Sequence, residues 1–190
     1  MAITRIGGAN AISGTIPAAN VATLTSSNLP SGSILQVVQT VKEDAFSVSA
    51  STSTVYDVTG LSVSITPTSS SSKVFVMLEM NNVSSDSTGG PGVYSKILRD
   101  STVLTSNTSG GNADTYNSFC GGVGGGMSNN QRARDKHHIN FLDSPSTTSA
   151  ITYKAQVVTG GSGITITVNR WGLNTDLGSV STITAMEIQG

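Results

Sequence analysis

Few side chains in this sequence have types and spacings that suit catalysis. The serines do not lie in the G-x-S-x-G setting that exposes a nucleophile on a sharp turn. The carboxylates are scattered, and the adjacent pair Glu43-Asp44 lies in an expected turn, which fixes no separation suited to acid–base work. The sequence therefore predicts no catalytic residue and a protein that is not an enzyme.

Candidate metal ligands are also sparse. His137 and His138 are adjacent at the start of an expected strand, where neighbouring side chains point to opposite faces. We expect one of them to be exposed and the other packed, so the pair cannot chelate one ion together. A histidine repeated around a threefold axis stays open as a metal site. The single cysteine, Cys120, excludes an internal disulfide and is expected to be a small buried residue. The sequence predicts neither a metal nor a cofactor.

A glycine-rich stretch at 121–126, GGVGGG, lacks the lysine and the strand-to-helix context of a phosphate loop. The polar segment after it is a candidate receptor-facing loop that could reach a sugar or an anionic envelope component. Its candidate contact residues are Asn129, Asn130, Gln131, Arg132 and Arg134. The alternative is a loop whose charges only keep it solvated. Trp171 has two readings as well, a core residue or a sugar-stacking or interface residue.

The composition narrows the class of protein. Charged residues make up 11% of the 190 residues, against about 25% in an average domain. Low charge with abundant Ser, Thr, Gly and Val favours strands joined by tight turns over long helices. The net charge of −1 argues against nucleic-acid binding. No apolar run is long enough for a membrane span, and the first residues are not typical of a signal peptide. We therefore expect a soluble protein that is made in the cytoplasm and is not secreted.

From residue 31 onward the hydrophobic pattern predicts an all-β fold. Leu61, Val63 and Ile65 alternate with serines, which is typical of a strand with one buried face. Residues 73–80, KVFVMLEM, are expected to be the central buried strand. We expect long loops at 81–91 and 121–136, and at most a turn of helix near 41–45. Further strands are expected at 34–42, 53–58, 93–98, 103–105, 115–120, 137–142, 151–158, 164–171 and 179–188. This pattern predicts a single antiparallel β-sandwich over residues 31–190.

Residues 1–30 show no strand or helix period. Their isolated apolar residues are too widely spaced to form a core of their own, and in a solvated tail they would bury no apolar surface. We predict that this segment is an extended arm that attaches to another surface or intertwines with other chains. The candidate anchoring residues are Ile3, Ile6, Ile12, Ile16, Val21 and Leu24.

Three segments carry a family resemblance. They are FLDSPSTTSAITYKAQV at 141–157, ITITVNRWG at 164–172 and STITAMEIQG at 181–190. Together they resemble the terminal domain of tailed-bacteriophage fibres and other virion surface proteins, and ISGTIPAANVATL at 12–24 resembles segments that precede such domains. The resemblance implies a jelly-roll-like sandwich that assembles as a homotrimer.

On this basis the sequence predicts a virion protein of a tailed bacteriophage, a short tail fibre or a fibre-tip knob involved in host attachment. The expected partners are two further copies of the chain, other virion proteins of the tail or the major capsid, and a host surface glycan. Nucleic acid and membrane insertion are not expected. The alternative is a capsid decoration protein whose arm lies between capsid subunits. A glycan-degrading spike is the enzymatic alternative, but it needs paired carboxylates in a groove.

Overall fold

The strand β4, Lys73–Ser85, shows how the sequence builds the fold. Its residues alternate between two faces, as a pleated strand requires. In the computed structural model one face is fully buried and carries Val74, Val76, Leu78 and Met80. Phe75 and Met77 lie half-buried on the opposite face. The expected central strand is confirmed, because β4 is paired along both of its edges.

The structure describes residues 29–85, 92–104, 120–121, 135–171 and 174–190, with only the backbone at 120–121, 171 and 174–177. Every regular element in these ranges is a strand, and all pairings are antiparallel. Besides β4, the strands are β1 Ile34–Lys42, β2 Phe46–Ala50, β3 Val55–Ile65, β5 Val93–Arg99, β6 Thr102–Val103, β7 Cys120–Gly121, β8 Asp135–Asp143, β9 Ile151–Thr159, β10 Ile164–Val168, β11 Arg170–Trp171, β12 Asn174–Gly178 and β13 Ser181–Ile188.

Two sheets form a sandwich-like fold. The first sheet has the order β1-β13-β4-β10-β2, with β8 on the other edge of β4. The second sheet has the order β3-β9-β5-β6, with β7 also paired to β5. The strands β11 and β12 form a separate two-stranded ribbon. The predicted all-β fold class, an antiparallel sandwich, is therefore confirmed.

The core lies between the two sheets. Leu61, Val63 and Ile65 of β3 are buried, as their alternation with serines predicted. They face apolar residues of the first sheet such as Leu78 and Ile183, within one continuous cluster. Each fully buried side chain of this size contributes roughly 1.5–3 kcal/mol relative to its exposed state.

The structure differs from the expected strand boundaries where the backbone turns left-handed. The expected strands at 53–58 and 61–65 are one strand, β3, with an irregular register around Gly60, whose φ is 83°. The expected strand at 164–171 is interrupted at Asn169, whose φ is 63°, and becomes β10 and β11. Glycine and asparagine adopt this conformation more readily than other residues, so the chain can bend there.

Three expected loop or turn segments are also corrected. Residues 81–85, placed in a loop by their polarity, continue β4, because β8 and β10 supply backbone partners there. The turn of helix expected near 41–45 is absent, since β1 runs to Lys42 and β2 begins at Phe46. Residues 135 and 136, placed in the second loop, open β8. The expected strand residues 115–119 lie outside the described residues.

Candidate functional site

The two site predictions made from sequence fall on residues that the structure does not describe. The candidate anchoring residues of the arm, from Ile3 to Leu24, lie outside the described ranges. So do the candidate receptor-facing residues Asn129, Asn130, Gln131, Arg132 and Arg134. Both remain predictions. The side chain of Trp171 is not described either.

The two histidines lie on opposite faces of β8, as strand alternation predicted. His137 is 0% exposed. The side chain of His138 is 57% exposed, and its Nε2 lies 2.9 Å from Glu79 Oε1. Within the described part of the chain, no three His, Cys, Asp or Glu side chains lie close enough to hold a metal ion.

A serine, a histidine and an aspartate meet near the start of β8. Ser95 Oγ of β5 is hydrogen-bonded to His137 Nδ1, and His137 Nε2 lies 4.0 Å from Asp135 Oδ2. These are the residue types of a hydrolytic triad. However, Ser95 and His137 are both fully buried, so a substrate cannot reach the hydroxyl in this conformation. The arrangement ties the second sheet to the first across the core.

Burial has an electrostatic consequence for His137. It lowers the pKa of the imidazole below its ordinary value, and the nearby Asp135 carboxylate opposes this effect only in part. The ring is therefore neutral at neutral pH. Its Nε2 has no hydrogen-bond partner among the described residues.

A second polar contact joins β8, β9 and β5. Tyr153 Oη donates a hydrogen bond of 2.8 Å to Asp143 Oδ2. Arg99 Nη1 donates to both oxygens of the same carboxylate, at 2.8 and 2.7 Å. Burial, together with the hydrogen bond to Asp143, raises the pKa of the Tyr153 phenol far above its ordinary value. The phenol therefore stays protonated and acts as a fixed donor.

Asn169 is the centre of a third group of contacts. Its Nδ2 donates to the backbone oxygens of Lys42 and Asp44, at 2.7 and 3.1 Å. Its Oδ1 accepts a hydrogen bond of 2.5 Å from Ser181 Oγ, which in turn accepts from the backbone N of Asn81. One side chain thus connects the end of β1, the middle of β4 and the start of β13.

Glu187 is the most fully buried carboxylate in the described residues, at 0% exposure. Gln36 Nε2 donates to its Oε2 at 2.6 Å, and the backbone N and Oγ1 of Thr68 donate to its Oε1 at 2.7 and 2.8 Å. Burial alone would raise the pKa of this carboxyl, but these donors outweigh it and hold the pKa below the ordinary value. Glu187 is therefore a charged structural residue.

The acidic residue Asp44 of the pair Glu43-Asp44 is held by a neighbouring lysine. It lies in the connection between β1 and β2, and the carboxylate of Asp44 accepts a hydrogen bond of 2.8 Å from Lys42 Nζ. This hydrogen bond and the charge of Lys42 lower the pKa of Asp44. Its carboxylate is therefore paired with a cation.

The sequence did not predict most of these polar contacts, although many of the residues that form them stand in the segments that carry the family resemblance. Asp143 and Tyr153 stand in the segment at 141–157, Asn169 in the segment at 164–172, and Ser181 and Glu187 in the segment at 181–190. Polar residues that recur inside otherwise apolar strands were the feature of the sequence that could have indicated these contacts.

Among the described residues, no helix is long and apolar enough to cross a membrane.

Comparisons with known proteins give a distant likeness. No family model and no curated protein matches the chain significantly. Among solved structures, the fold is similar to T=1 particles derived from infectious bursal disease virus, with 13% identity and a TM-score of 0.38 over 82% of this chain and 36% of that chain. The structure of the Gt strain of that virus has 15% identity and a TM-score of 0.38, over 94% of this chain and 42% of that one.

These neighbours are viral structural proteins, and the present chain spans well under half of their length. At this identity and TM-score, no function is carried over from them.

Proposed function

We propose that the chain is a structural virion protein of a tailed bacteriophage, a short tail fibre or fibre-tip knob that takes part in host attachment. The proposal rests on the contacts between residues of the three segments that resemble phage virion proteins. Asp143 is hydrogen-bonded to Tyr153 across the sandwich, and Asn169 is hydrogen-bonded to Ser181 within the first sheet. The three resembling segments therefore belong to one folded framework that is held together by its own internal contacts. Together with the resemblance to virion surface proteins, this framework supports a structural role.

In this proposal the two parts of the chain have different tasks. Residues 1–30 anchor the protein to the virion and help three chains associate, and residues 31–190 form the knob. The loop that contains Arg132 and Arg134 contacts a host surface glycan. Weak binding by each copy gains strength when several copies bind together, by factors on the order of 100 or more.

The first experiment locates the protein in the particle. Antibodies raised against the purified chain are applied to intact virions, and gold labelling is viewed by electron microscopy. Label at the tail is the expected result. Label spread over the head instead supports the alternative of a decoration protein, with the arm between capsid subunits. Purified virions that lack the chain by mass spectrometry would overturn both forms of the proposal.

A second experiment tests attachment. The purified chain is added to host cells before phage, and we expect it to reduce phage adsorption. The double variant Arg132→Ala/Arg134→Ala should lose this competition. The matched control is Lys154→Ala, which removes a basic side chain from the second sheet, where it pairs with Asp57 at 2.9 Å. Equal competition by all three proteins would argue against the loop as the receptor contact.

A further inference from the structure

The first sheet turns an apolar face away from the core. The registers of β1, β13, β4 and β8 place Val37, Met186, Phe75 and Leu142 side by side in one row across four strands. Val37 is 54% exposed and Leu142 48% exposed, at the two ends of the row. Ile34 and Val41 extend the same face along β1, at 57% and 48% exposure. We call this surface the outer face.

The next row on the same face is Gln39, Thr184, Met77 and Asn140, so the apolar surface is a strip and does not cover the whole sheet. A contiguous exposed apolar strip often marks an interaction site. The second sheet does not share the property. Its corresponding side carries the ion pair of Lys154 and Asp57, and Gln156 donates to the same carboxylate at 2.6 Å. The asymmetry between the two sheets points to a partner for the outer face alone.

The charges at the ends of the outer face indicate which partner fits. Along β4 the residues on this side are, in order, Lys73, Phe75, Met77 and Glu79. A cation therefore lies at one end of an apolar centre and an anion at the other, where Glu79 Oε1 also lies 2.9 Å from Nε2 of the neighbouring His138. When a second copy is related to the first by a 180° rotation about an axis that lies midway between the two stacked sheets and runs perpendicular to β4, Lys73 of each copy faces Glu79 of the other. The pattern is self-complementary, as a twofold contact requires.

The size of the outer face is consistent with such a contact. Four strands about 4.8 Å apart and about 30 Å long give a footprint of roughly 570 Å² per copy, or about 1,100 Å² for two. Stable interfaces bury about 1,200–2,000 Å² in total, so this area lies just below that range, where weak and transient associations are found. Two sheets that pack face to face also keep their strands within about 30° of each other, which brings the ends of β4 close to the opposite ends in the partner.

We propose that the outer face is the surface on which two copies of this chain pair about a twofold axis, with Lys73 of each copy facing Glu79 of the other. The inference does not depend on the place of the protein in a virion. Chains that also join in threes through their arms would form hexamers, and chains that do not would form dimers.

The test is sedimentation velocity of the purified full-length chain from low to high micromolar concentration. We expect an even-numbered assembly. Lys73→Glu and Glu79→Lys should each weaken the association constant at least tenfold, because each places like charges opposite one another. An equimolar mixture of the two variants should restore it, because every facing pair is then of opposite sign. Lys154→Glu, the same charge reversal on the second sheet, is the control and should associate like the wild type.

Other results would overturn the proposal. A wild type that is only monomeric or only trimeric would do so, as would a mixture that fails to recover while circular dichroism shows both variants folded. A monomer that begins to associate only after residues 1–28 are removed would assign the outer face to the arm of the same chain.

Discussion

Tyr153 is a buried donor whose single hydrogen bond can be removed with little change of shape. Tyr153→Phe deletes the hydroxyl that donates to Asp143 and leaves the ring in place. Because the acceptor is a charged carboxylate, we expect a loss of about 1.5–3 kcal/mol in the free energy of unfolding. Chemical denaturation measures it. Tyr56→Phe is the control, since its hydroxyl accepts from the backbone N of Ser51 at an exposed site. Its loss should stay below about 0.5 kcal/mol, and equal losses would contradict the structural role of Tyr153.

His137 makes the stability of the fold depend on pH. Burial depresses its pKa in the folded state, while the unfolded chain takes up a proton near pH 6.5. Below that pH the unfolded state binds more protons, so the free energy of unfolding falls as the pH falls. The stabilisation linked to this depressed pKa is fully present above about pH 7.5. As the pH falls below that value, one such group can lower the free energy of unfolding by at most about 1.4 kcal/mol per pH unit.

The measurement is chemical denaturation between about pH 8 and pH 5.5, on the wild type and on His137→Gln. We expect the variant to be less stable at high pH, because it loses the contact with Ser95, and to show a shallower decline as the pH falls. A decline that His137→Gln leaves unchanged would assign the pH dependence to other groups.

At the scale of the element, Asn169 fixes the point where one expected strand becomes two. Asn169→Gly keeps the left-handed backbone accessible but removes the hydrogen bonds to Lys42, Asp44 and Ser181. We expect a loss of about 1–3 kcal/mol. Asn169→Ala loses the same bonds and adds about 1–2 kcal/mol, because a Cβ disfavours positive φ. The two variants are compared by chemical denaturation. Equal stability of the glycine and alanine variants would show that backbone conformation does not matter at this position.

The elements also show which part of the fold could be predicted from the sequence. Alternation along one strand was enough to place Leu61, Val63 and Ile65 inside and to separate His137 from His138. The pairing partners could not be predicted in this way, because β13 inserts between β1 and β4 and joins residues more than 100 positions apart. The outer face exists only through that register. The strand β2 was missed, although its residues FSVSA alternate with serine in the same way as residues 61–65.

The polar residues also divide into those whose position one strand determines and those whose contacts depend on how strands and sheets pair. Asp143 and Tyr153 stand in one of the resembling segments. Their contact, however, depends on how the chain between β8 and β9 crosses from the first sheet to the second. The partner of His137, Ser95, belongs to the opposite sheet and becomes apparent only once the sheets are stacked. Side chains whose role is set by one strand were therefore predictable, and side chains whose role is set between sheets were not.

At the scale of the whole molecule, the proposed division into an arm and a knob can be tested by truncation. The core cluster of the described residues runs from Ala50 to Ala185. The sandwich is closed at its start by two backbone hydrogen bonds, from Gly32 to Gln189 and from Gln189 to Ser33. Deletion of residues 1–28 leaves all of these contacts in place. We expect cooperative unfolding with a free energy within about 1 kcal/mol of the full chain.

Deletion of residues 1–36 is the matched control, because it removes only eight further residues but takes away the first part of β1. Glu187 then loses the donor Gln36, and part of the β13 edge loses its partner. Glu187 keeps its two Thr68 donors, so the loss of the Gln36 hydrogen bond costs about 1.5–3 kcal/mol, and the lost strand pairing adds to it. This variant should therefore unfold at lower denaturant concentration. Equal damage from both deletions would make the first 28 residues part of the fold. If the shorter deletion folds normally and yet fails to enter virions during infection, its defect is one of attachment, which is the result expected for an anchoring arm.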